Sequence, residues 1–405
     1  MFDVDWVRQQ FPALATPWAL MDNAGGSVLP QTVIDRAVHY MAHYQVQLGA
    51  GYGPSVEAAE AVEAGKAAAA SLLGASKRDV VVGPSTTLNF ATVARALRPL
   101  WSDGDEVIVT DLDHESNIGA WRRLPGIKIK VWKFREDDLA LHVEDLAPLL
   151  TDKTRLVSFT HCPNITGGIQ DVGAAISMIH DAGALACVDG VAYGPHRHVD
   201  AAAIGADLYA VSLYKIFGPH IGAIYGTPEL LRAAHGQNHA FIPEDDVPYK
   251  LQPGNVNHEL TASMVGVADY FEAVDKHHRP GAPAEGRLAR VFADIADHEE
   301  HLGRHLLDYL HSRSDIRVLG PQSADKHERV PTIAFVIKGL SSQHVAESLL
   351  PDRLGIRFGH FYAQRAVERL GLLECDGIVR ASLAHYNTLD EVQRLVQGLD
   401  RIKAG

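Results

Sequence analysis

A carboxylate and an amine follow two apolar segments of the chain. The apolar run over residues 184–188 ends in Asp189, and the run over residues 208–213 leads to Lys215. Runs of this length predict buried β-strands, and the ends of such strands are where open α/β sheets bind their ligands. The sequence therefore predicts that Asp189 and Lys215 lie close together at one edge of a sheet.

This pair has the chemistry that pyridoxal 5′-phosphate (PLP) requires. Lys215 supplies an amine that can form a Schiff base, and Asp189 supplies an anion that keeps the pyridine nitrogen protonated. Ser212 and Tyr214 flank the lysine with hydroxyl groups that suit a phosphate. An alternative stays open at this point, because short motifs match by chance and either residue alone could be an ordinary solvated strand end.

Three further polar stretches are expected to point to the same edge of the sheet. Ser85, Thr86 and Thr87 begin a predicted helix, where they can cap the helix or bind a phosphate beside free backbone N–H groups. His114 follows a predicted strand and has a flat ring that can stack on a pyridine, although a single histidine is often a polar loop residue. Asn164 follows another strand and can bind a carboxylate or a cofactor oxygen, or simply form part of a turn.

The order of strand-like and helical segments indicates the fold class. Between residues 58 and 225, short apolar runs alternate with alanine-rich helical segments, which is the βαβ pattern of a mostly parallel sheet with helices on both faces. After Asn257, long helical patterns and then short strands predict a second, smaller α+β domain that begins near residues 265–280. We expect a large domain over residues 16–265 and a small domain over 266–405 together with 1–15, with the substrate cleft between them.

Composition restricts the class of protein and its partners. The 405 residues carry a formal net charge of -13, with 46% hydrophobic and 21% charged residues. These values are typical of a globular protein and disfavour nucleic acids and anionic membranes as partners. No apolar run is long enough for a membrane span. Three scattered cysteines and the lack of a signal-peptide pattern predict a cytoplasmic protein without a disulfide framework.

A group of histidines raises the question of a metal site. His298, His301 and His305 lie at positions i, i+3 and i+7 of a predicted helix and therefore on one face of it. The spacing is not the His-Glu-x-x-His pattern of zinc enzymes, and the surrounding residues are charged. A solvated helix face explains the pattern better, so we expect no metal.

Eight segments of the chain, in this order, carry a family resemblance. They are DNAGGSVLP (22–30), STT (85–87), DHESNIGAW (113–121), PNITGGIQDV (163–172), VDG (188–190), SLYKIFGPHIGAIYG (212–226), GIRFGH (355–360) and VRASLAHYNTLDEV (379–392). Together they resemble the class V aminotransferase group of fold-type-I PLP enzymes and, within it, the cysteine desulfurase-like proteins. The resemblance implies a seven-stranded type of sheet, PLP as cofactor, an amino-acid substrate, and a homodimer with the site at the subunit interface.

The resemblance also implies a role for individual residues. Lys215 would bind PLP covalently, Asp189 would pair with the pyridine nitrogen, and His114 would stack on the ring. The phosphate would be held by Ser85, Thr86, Thr87, Ser212 and Tyr214, with Asn255 reaching the phosphate of the partner subunit. Asn164 would contact both cofactor and substrate. The substrate carboxylate would also be bound by Arg380 and Arg357, and Ala24 and Gly25 would line the entrance.

Three positions depart from the family pattern. Tyr362 stands on the loop where desulfurases carry their nucleophilic cysteine, Ala192 stands where relatives carry a Gln or His that donates to the cofactor, and Asn255 stands where threonine is commoner. Tyrosine cannot accept sulfur as a persulfide, so we expect an intact apparatus for forming an α-carbanion but a different outcome from desulfuration.

The expected reaction is a β-elimination that removes sulfur or another β-substituent from an amino acid. Tyr362 would then be a catalytic residue that protonates the departing atom, and it could equally be an aromatic cover over the pocket. The alternative is a class V aminotransferase, or an epimerase or aldolase-type reaction on a small amino acid, because PLP supports all of these outcomes.

Overall fold

Valine- and isoleucine-rich segments form the strands of two main sheets, and helices surround them. The computed structural model describes residues 2–402. The strands, numbered in chain order, are β1 (Ala19–Leu20), β2 (Val80–Gly83), β3 (Glu106–Thr110), β4 (Lys128–Trp132), β5 (Thr154–Thr160), β6 (Leu185–Asp189), β7 (Leu208–Ser212), β8 (Gly222–Gly226), β9 (Ile316–Leu319), β10 (Thr332–Ile337), β11 (Leu354–Gly355), β12 (Arg357–Gly359) and β13 (Ile378–Ser382).

Fifteen α-helices are present within residues 2–402. They are α1 (Val4–Gln9), α2 (Gln31–His43), α3 (Gly53–Ser71), α4 (Thr86–Leu97), α5 (Glu115–Arg122), α6 (Val143–Leu146), α7 (Val172–Asp181), α8 (Ala201–Ile204), α9 (Pro228–Ala233), α10 (His258–Ser263), α11 (Val265–His278), α12 (Arg287–Ser312), α13 (Ser342–Ser348), α14 (Gln364–Arg369) and α15 (Leu389–Asp400). In this part of the chain none of them has the length and apolar character that crossing a bilayer requires.

The larger sheet has seven strands in the order β2-β8-β7-β6-β5-β3-β4. Neighbouring strands from β7 to β4 are parallel, whereas β8 runs antiparallel to both β7 and β2. The predicted fold class, a mostly parallel seven-stranded sheet, is therefore confirmed.

Alternate residues of these strands pack into two different cores. In β3, Val107 and Val109 belong to the core on one side of the sheet, and Ile108 belongs to the core on the other side. Successive side chains of a strand point to opposite faces, so a strand that is covered on both sides has to be apolar throughout. This explains why the strands read as continuous apolar runs.

A smaller antiparallel sheet follows in the order β12-β13-β10-β9. The second half of α12 packs against this sheet through Leu302, Leu306 and Leu310. The first half of the same helix packs with the helices of the large sheet through Val291 and Ile295. Because α12 contributes to both cores, the domain boundary near residue 265 stays a prediction.

Arg329 joins the two sheets. Its buried guanidinium donates to the carbonyl of Thr166, in the loop after β5, at 3.1 Å and to the carbonyl of Thr332, in β10, at 2.7 Å. Gly167, in the same loop, has a φ of 71°, and a Cβ at this position would lie 2.4 Å from the Thr332 carbonyl oxygen. Only glycine permits this close approach, which fixes the loop carrying Asn164 against the small sheet.

Replacing Arg329 with leucine should lower the free energy of unfolding by about 2–5 kcal/mol, because buried carbonyl groups lose their donor. Urea unfolding followed by circular dichroism measures this loss. Arg122→Leu, on an exposed position of α5, is the matched control and should change the free energy by less than about 0.5 kcal/mol. Equal effects of the two substitutions would contradict the role of Arg329.

Candidate active site

Lys215 and Asp189 lie at the ends of adjacent strands. Asp189 is the last residue of β6, and Lys215 ends a single 3-10 turn that follows β7. The two strands are parallel neighbours in which Asp189 pairs with Ala210. Both side chains are buried and line one pocket. The strand ends thus bring together the amine and the carboxylate that the sequence predicts there.

The pocket is lined largely by polar residues from several strand ends and helix starts. The lining residues are Ser85, Thr86, Thr87, His114, Ser116, Thr160, Cys162, Asn164, Asp189, Val191, Ala192, Ser212, Tyr214 and Lys215. A pocket with convergent polar groups at the carboxyl ends of parallel strands is the usual form of a small-molecule site.

Burial shifts the ionisation of the amine. The pKa of Lys215 is lowered to about 8, mainly by desolvation and also by the nearby charge of Arg380, while the carboxylates of Asp189 and Asp22 oppose the shift. A larger fraction of the amine is therefore neutral near physiological pH than for an exposed lysine, and the neutral form is the nucleophile and the base.

Burial also shifts the ionisation of the carboxyl group. Desolvation raises the pKa of Asp189 to about 6, against the opposing effects of a hydrogen bond and of the Lys215 charge. The hydrogen bond comes from the backbone N–H of Val191, which donates to Oδ1 at 2.9 Å. Asp189 is therefore an anion at neutral pH, ready to pair with a cationic group in the pocket.

Hydroxyl groups form one end of the pocket. Ser85 caps α4 by accepting from the Leu88 N–H at 3.2 Å, and the Thr86 and Ser212 hydroxyl oxygens are 2.7 Å apart. A Cβ on Gly222 would lie 2.5 Å from the Thr86 nitrogen, so only glycine lets β8 approach the start of α4 this closely. The start of this twelve-residue helix and its hydroxyls suit a phosphate.

His114 forms one wall of the pocket as the N-cap of α5. Its Nδ1 accepts a hydrogen bond from the Ser116 N–H at 3.1 Å. Burial lowers the pKa of the imidazole to about 4, and the charges of Lys215 and Arg380 act in the same direction. The ring is therefore neutral, which suits stacking on a flat aromatic ligand.

Asn164 and Arg380 are connected to each other at the seam between the two sheets. The Asn164 amide donates to the carbonyl of Phe361 at 2.9 Å, and its Oδ1 is buried without a hydrogen-bond partner. Arg380 donates to the Asn164 carbonyl at 3.0 Å, and its guanidinium carbon lies 3.8 Å from the centroid of the Phe361 ring. Arg380 is buried behind Phe361 rather than lining the open pocket.

The remaining predicted site residues lie outside the pocket lining. Tyr362 is 68% exposed, with its ring centroid 5.2 Å from that of His114. Arg357 is 60% exposed and contacts Asp22. Ala24 is buried and donates its N–H to the Ser382 hydroxyl, whereas Gly25 is exposed in a turn. Asn255 is exposed, and its Oδ1 accepts from the Val256 N–H.

Four pocket residues were missed by the sequence interpretation. Ser116, Thr160, Cys162 and Val191 all line the pocket. Two of them carried a usable pattern, since Thr160 ends a predicted strand and Ser116 follows His114 by two positions at the start of a helix. No comparable pattern marks Cys162 or Val191, because strand periodicity does not extend into the loops where they lie.

The histidines of α12 do not converge. The Nε2 of His298 donates to the Asn387 carbonyl at 2.9 Å. The rings of His301 and His305 are tilted by 60° relative to each other, with 4.8 Å between their centroids. Within residues 2–402, no group of three His, Cys, Asp or Glu side chains is arranged to hold a metal ion.

Comparison with known proteins decides the family. Residues 19–395 match the family model described as Aminotransferase class-V. The chain belongs to the class V aminotransferase family. The aminotransferase-like protein FGM3 of Gibberella zeae is 39% identical to it over 411 residues, which cover 99% of this chain and 98% of that protein.

Two cysteine desulfurase-related proteins are also similar to this chain. The cysteine desulfurase-like protein ustD of Aspergillus flavus is 32% identical, covering 99% of this chain and 91% of that protein. The crystal structure of the cysteine desulfurase CsdA of Escherichia coli matches with a TM-score of 0.83 and 25% identity, covering 99% of this chain and 98% of that chain.

The class V aminotransferase and cysteine desulfurase families are PLP-dependent, so this protein is a PLP-dependent enzyme. The pocket fits that cofactor, because it combines a buried amine, a buried carboxylate and a hydroxyl-lined end. When bound, PLP supplies an electron sink that stabilises negative charge on the α-carbon of an amino acid. The assignment of Lys215 as the covalent anchor and of Asp189 as the partner of the ring nitrogen stays a prediction.

The rate at which the apoenzyme captures PLP should rise with pH through about 8 and then level off. Burial lowers the pKa of Lys215 to about 8, and only the neutral amine attacks an aldehyde, so the reactive fraction grows as the proton leaves. The growth of the visible absorption band after PLP is added to the apoenzyme measures this rate from about pH 6 to about pH 9.

Two variants serve as controls for this profile. Lys215→Ala should develop no band from a covalent linkage at any pH. Arg380→Gln removes a charge that lowers the pKa of Lys215, so its profile should move to higher pH. A rate that is independent of pH, or a band that persists in Lys215→Ala, would show that another amine is the anchor.

Proposed function

We propose that this member of the class V aminotransferase family is a PLP-dependent lyase that removes a β-substituent, such as sulfur, from an amino acid. The observation that carries the proposal is the combination of a reactive lysine with a pocket cysteine whose thiol stays protonated. Cys162 lines the pocket, but burial raises the pKa of its thiol to about 12. A thiol in this state does not act as a nucleophile, so a substituent released from the substrate would leave rather than transfer to the protein.

The chain's own groups supply the steps of such an elimination. Neutral Lys215 can accept the proton from the α-carbon, since its pKa is about 8. Arg380 and Asn164 would orient the substrate carboxylate. Tyr362, which lies over His114, would donate a proton to the departing atom. Loss of the α-proton, followed by loss of the β-substituent with its bonding electrons, would leave an enamine. Hydrolysis of that enamine would give pyruvate and ammonia when the substrate is a β-substituted alanine.

Transamination is the second candidate, and the similarity to an aminotransferase-like protein supports it. The two reactions differ in how they use a substrate without a leaving group. A transaminase releases pyruvate from L-alanine and converts the cofactor to pyridoxamine phosphate, whereas a β-eliminating lyase cannot act on L-alanine.

Incubating the holoenzyme with L-cysteine and β-chloro-L-alanine should therefore give pyruvate and ammonia in equal amounts over many turnovers. L-Alanine is the matched control and should give neither product. Enzymatic pyruvate and ammonia assays measure the products, and chromatography measures pyridoxamine phosphate. Stoichiometric pyridoxamine phosphate without ammonia would contradict the lyase and support transamination.

Tyr362→Phe should reduce kcat by about 10- to 100-fold while KM changes little, because it removes a proton donor and keeps the ring. Tyr362→Leu removes both, so it tests the covering function as well. If the phenylalanine variant retains full activity and only the leucine variant is impaired, the residue is an aromatic cover and not a catalytic group. The loss should also be smaller for chloride than for sulfide, because chloride leaves without a proton.

We further propose a homodimer with the site at the subunit interface. Val38, Met41, Tyr52 and Val56, on or beside α2 and α3, are apolar and exposed, and a partner subunit bound here would cover them. Asn255 lies outside the pocket of its own chain, as a residue directed to a partner's phosphate would. Analytical ultracentrifugation at micromolar concentration tests this proposal, and a monomer would refute it.

A reducing, cytoplasmic compartment is the expected location. The three cysteines are free, with Cys162 and Cys187 buried and Cys375 exposed. An exposed free thiol is uncommon where disulfides form readily. Fractionation of the native host with an antibody against the protein tests this expectation.

A further inference from the structure

Arg380 holds an ion pair that a substrate carboxylate would have to replace. Its Nη2 donates to Oδ1 of Asp22 at 2.7 Å, and its Nη1 donates to the Asn164 carbonyl. Its Nε is buried and has no hydrogen-bond partner. The Arg380 side chain is 1% exposed, whereas Asp22 is 26% exposed. The ion pair therefore has one fixed member and one member that reaches solvent.

Asp22 accepts a hydrogen bond from only one of the two N–H groups that Arg380 offers on that side of its guanidinium. A carboxylate that binds the side of a guanidinium engages both Nε and Nη2. Elsewhere in the chain, Asp315 does this with Arg313, at 2.8 Å to Nε and 2.6 Å to Nη2. Asp22 takes Nη2 of Arg380 and leaves Nε without a partner. A second carboxylate that bound this edge in full would satisfy Nε and displace Asp22.

Arg357 gives Asp22 an alternative partner. Arg357 and Arg380 are directly opposite each other on β12 and β13, where two like charges repel. Asp22 contacts both, since its Oδ2 is 3.3 Å from Nη1 of Arg357. Two guanidinium groups share one carboxylate, so one positive charge is left unbalanced. That charge matches a single carboxylate from a ligand.

We propose that Asp22 is an internal competitor that occupies Arg380 in the absence of substrate and moves to Arg357 when a substrate carboxylate binds. The inference rests on the proposed function, because it takes Arg380 as the carboxylate-binding residue. Asp22 thereby weakens the apparent affinity for the substrate in proportion to the fraction of time that it holds Arg380. It is a residue that sets affinity, and it touches no reacting atom.

Asp22→Asn should bind a simple carboxylate more tightly than the wild type does. The probe is propionate, which has no amino group and cannot react with the cofactor. Isothermal titration calorimetry of the holoenzyme should give a dissociation constant that falls about fivefold or more, because the internal competitor is gone. Asp111→Asn is the matched control: it removes a carboxylate from an ion pair of equal length, 2.7 Å, with Arg369 outside the pocket. It should leave the dissociation constant unchanged.

Two double variants distinguish the loss of competition by Asp22 from an effect of the substitution on folding. Asp22→Asn exposes the repulsion between Arg357 and Arg380 and could impair folding. Adding Arg357→Gln removes that repulsion and restores the net charge of the wild type, and this variant should still bind propionate more tightly. Adding Arg380→Gln to Asp22→Asn should abolish the increase in propionate affinity, since the propionate carboxylate then has no guanidinium to bind.

The outcomes are distinct from those of the lyase test. An unchanged or larger dissociation constant in the Asp22→Asn variants, or no propionate binding by any protein, would overturn the proposal. The first result would mean that Asp22 does not occupy the ligand's position, and the second that Arg380 is not a carboxylate site. Tighter propionate binding in a protein that transaminates L-alanine would refute the lyase and leave the role of Asp22 intact.

Discussion

Two groups of opposite charge, Lys215 and Asp189, are buried together at the ends of adjacent parallel strands. Desolvation disfavours the charged form of each and moves both pKa values toward neutrality, while their mutual attraction resists that shift. The balance leaves a partly neutral amine beside a carboxylate that is still ionised at pH 7. The hydroxyl groups and the neutral ring of His114 line the same pocket as this pair, whose chemistry is what a PLP enzyme needs.

Close backbone approaches make that burial possible. A Cβ on Gly190, which follows Asp189, would lie 2.1 Å from the ring of Tyr209, so the turn after β6 packs directly on the aromatic ring. The hydroxyl of Tyr209 in turn lies 2.8 Å from Nδ1 of His161. The end of the sheet is thus closed by packed rings, and a packed environment of this kind keeps the local dielectric low and the pKa shifts large.

The seam between the two sheets, beside the pocket, has a different origin. Arg380 belongs to the small sheet, Asn164 belongs to a loop of the large sheet, and Phe361 lies on the loop after β12. Phe361 and Tyr362 both have positive φ values, 47° and 61°, which are costly for aromatic residues and persist where surrounding contacts hold them. Those contacts are the Asn164 amide and the Glu115 N–H, which donate to the two loop carbonyls at 2.9 Å.

The sequence by itself determined the mostly parallel sheet and the group of Lys215, Asp189, His114 and the hydroxyls of residues 85–87. These residues sit at strand ends and helix starts, which local periodicity and capping patterns locate, and parallel strands necessarily bring their carboxyl ends to one edge. Only the tertiary structure decided that Asp22 pairs with Arg380, 358 positions away, and that the ring of Phe361 covers the guanidinium of Arg380. It also decided that Cys162 faces the pocket. Such contacts depend on how two sheets pack and how loops cross between them, and no local pattern in the chain encodes that arrangement.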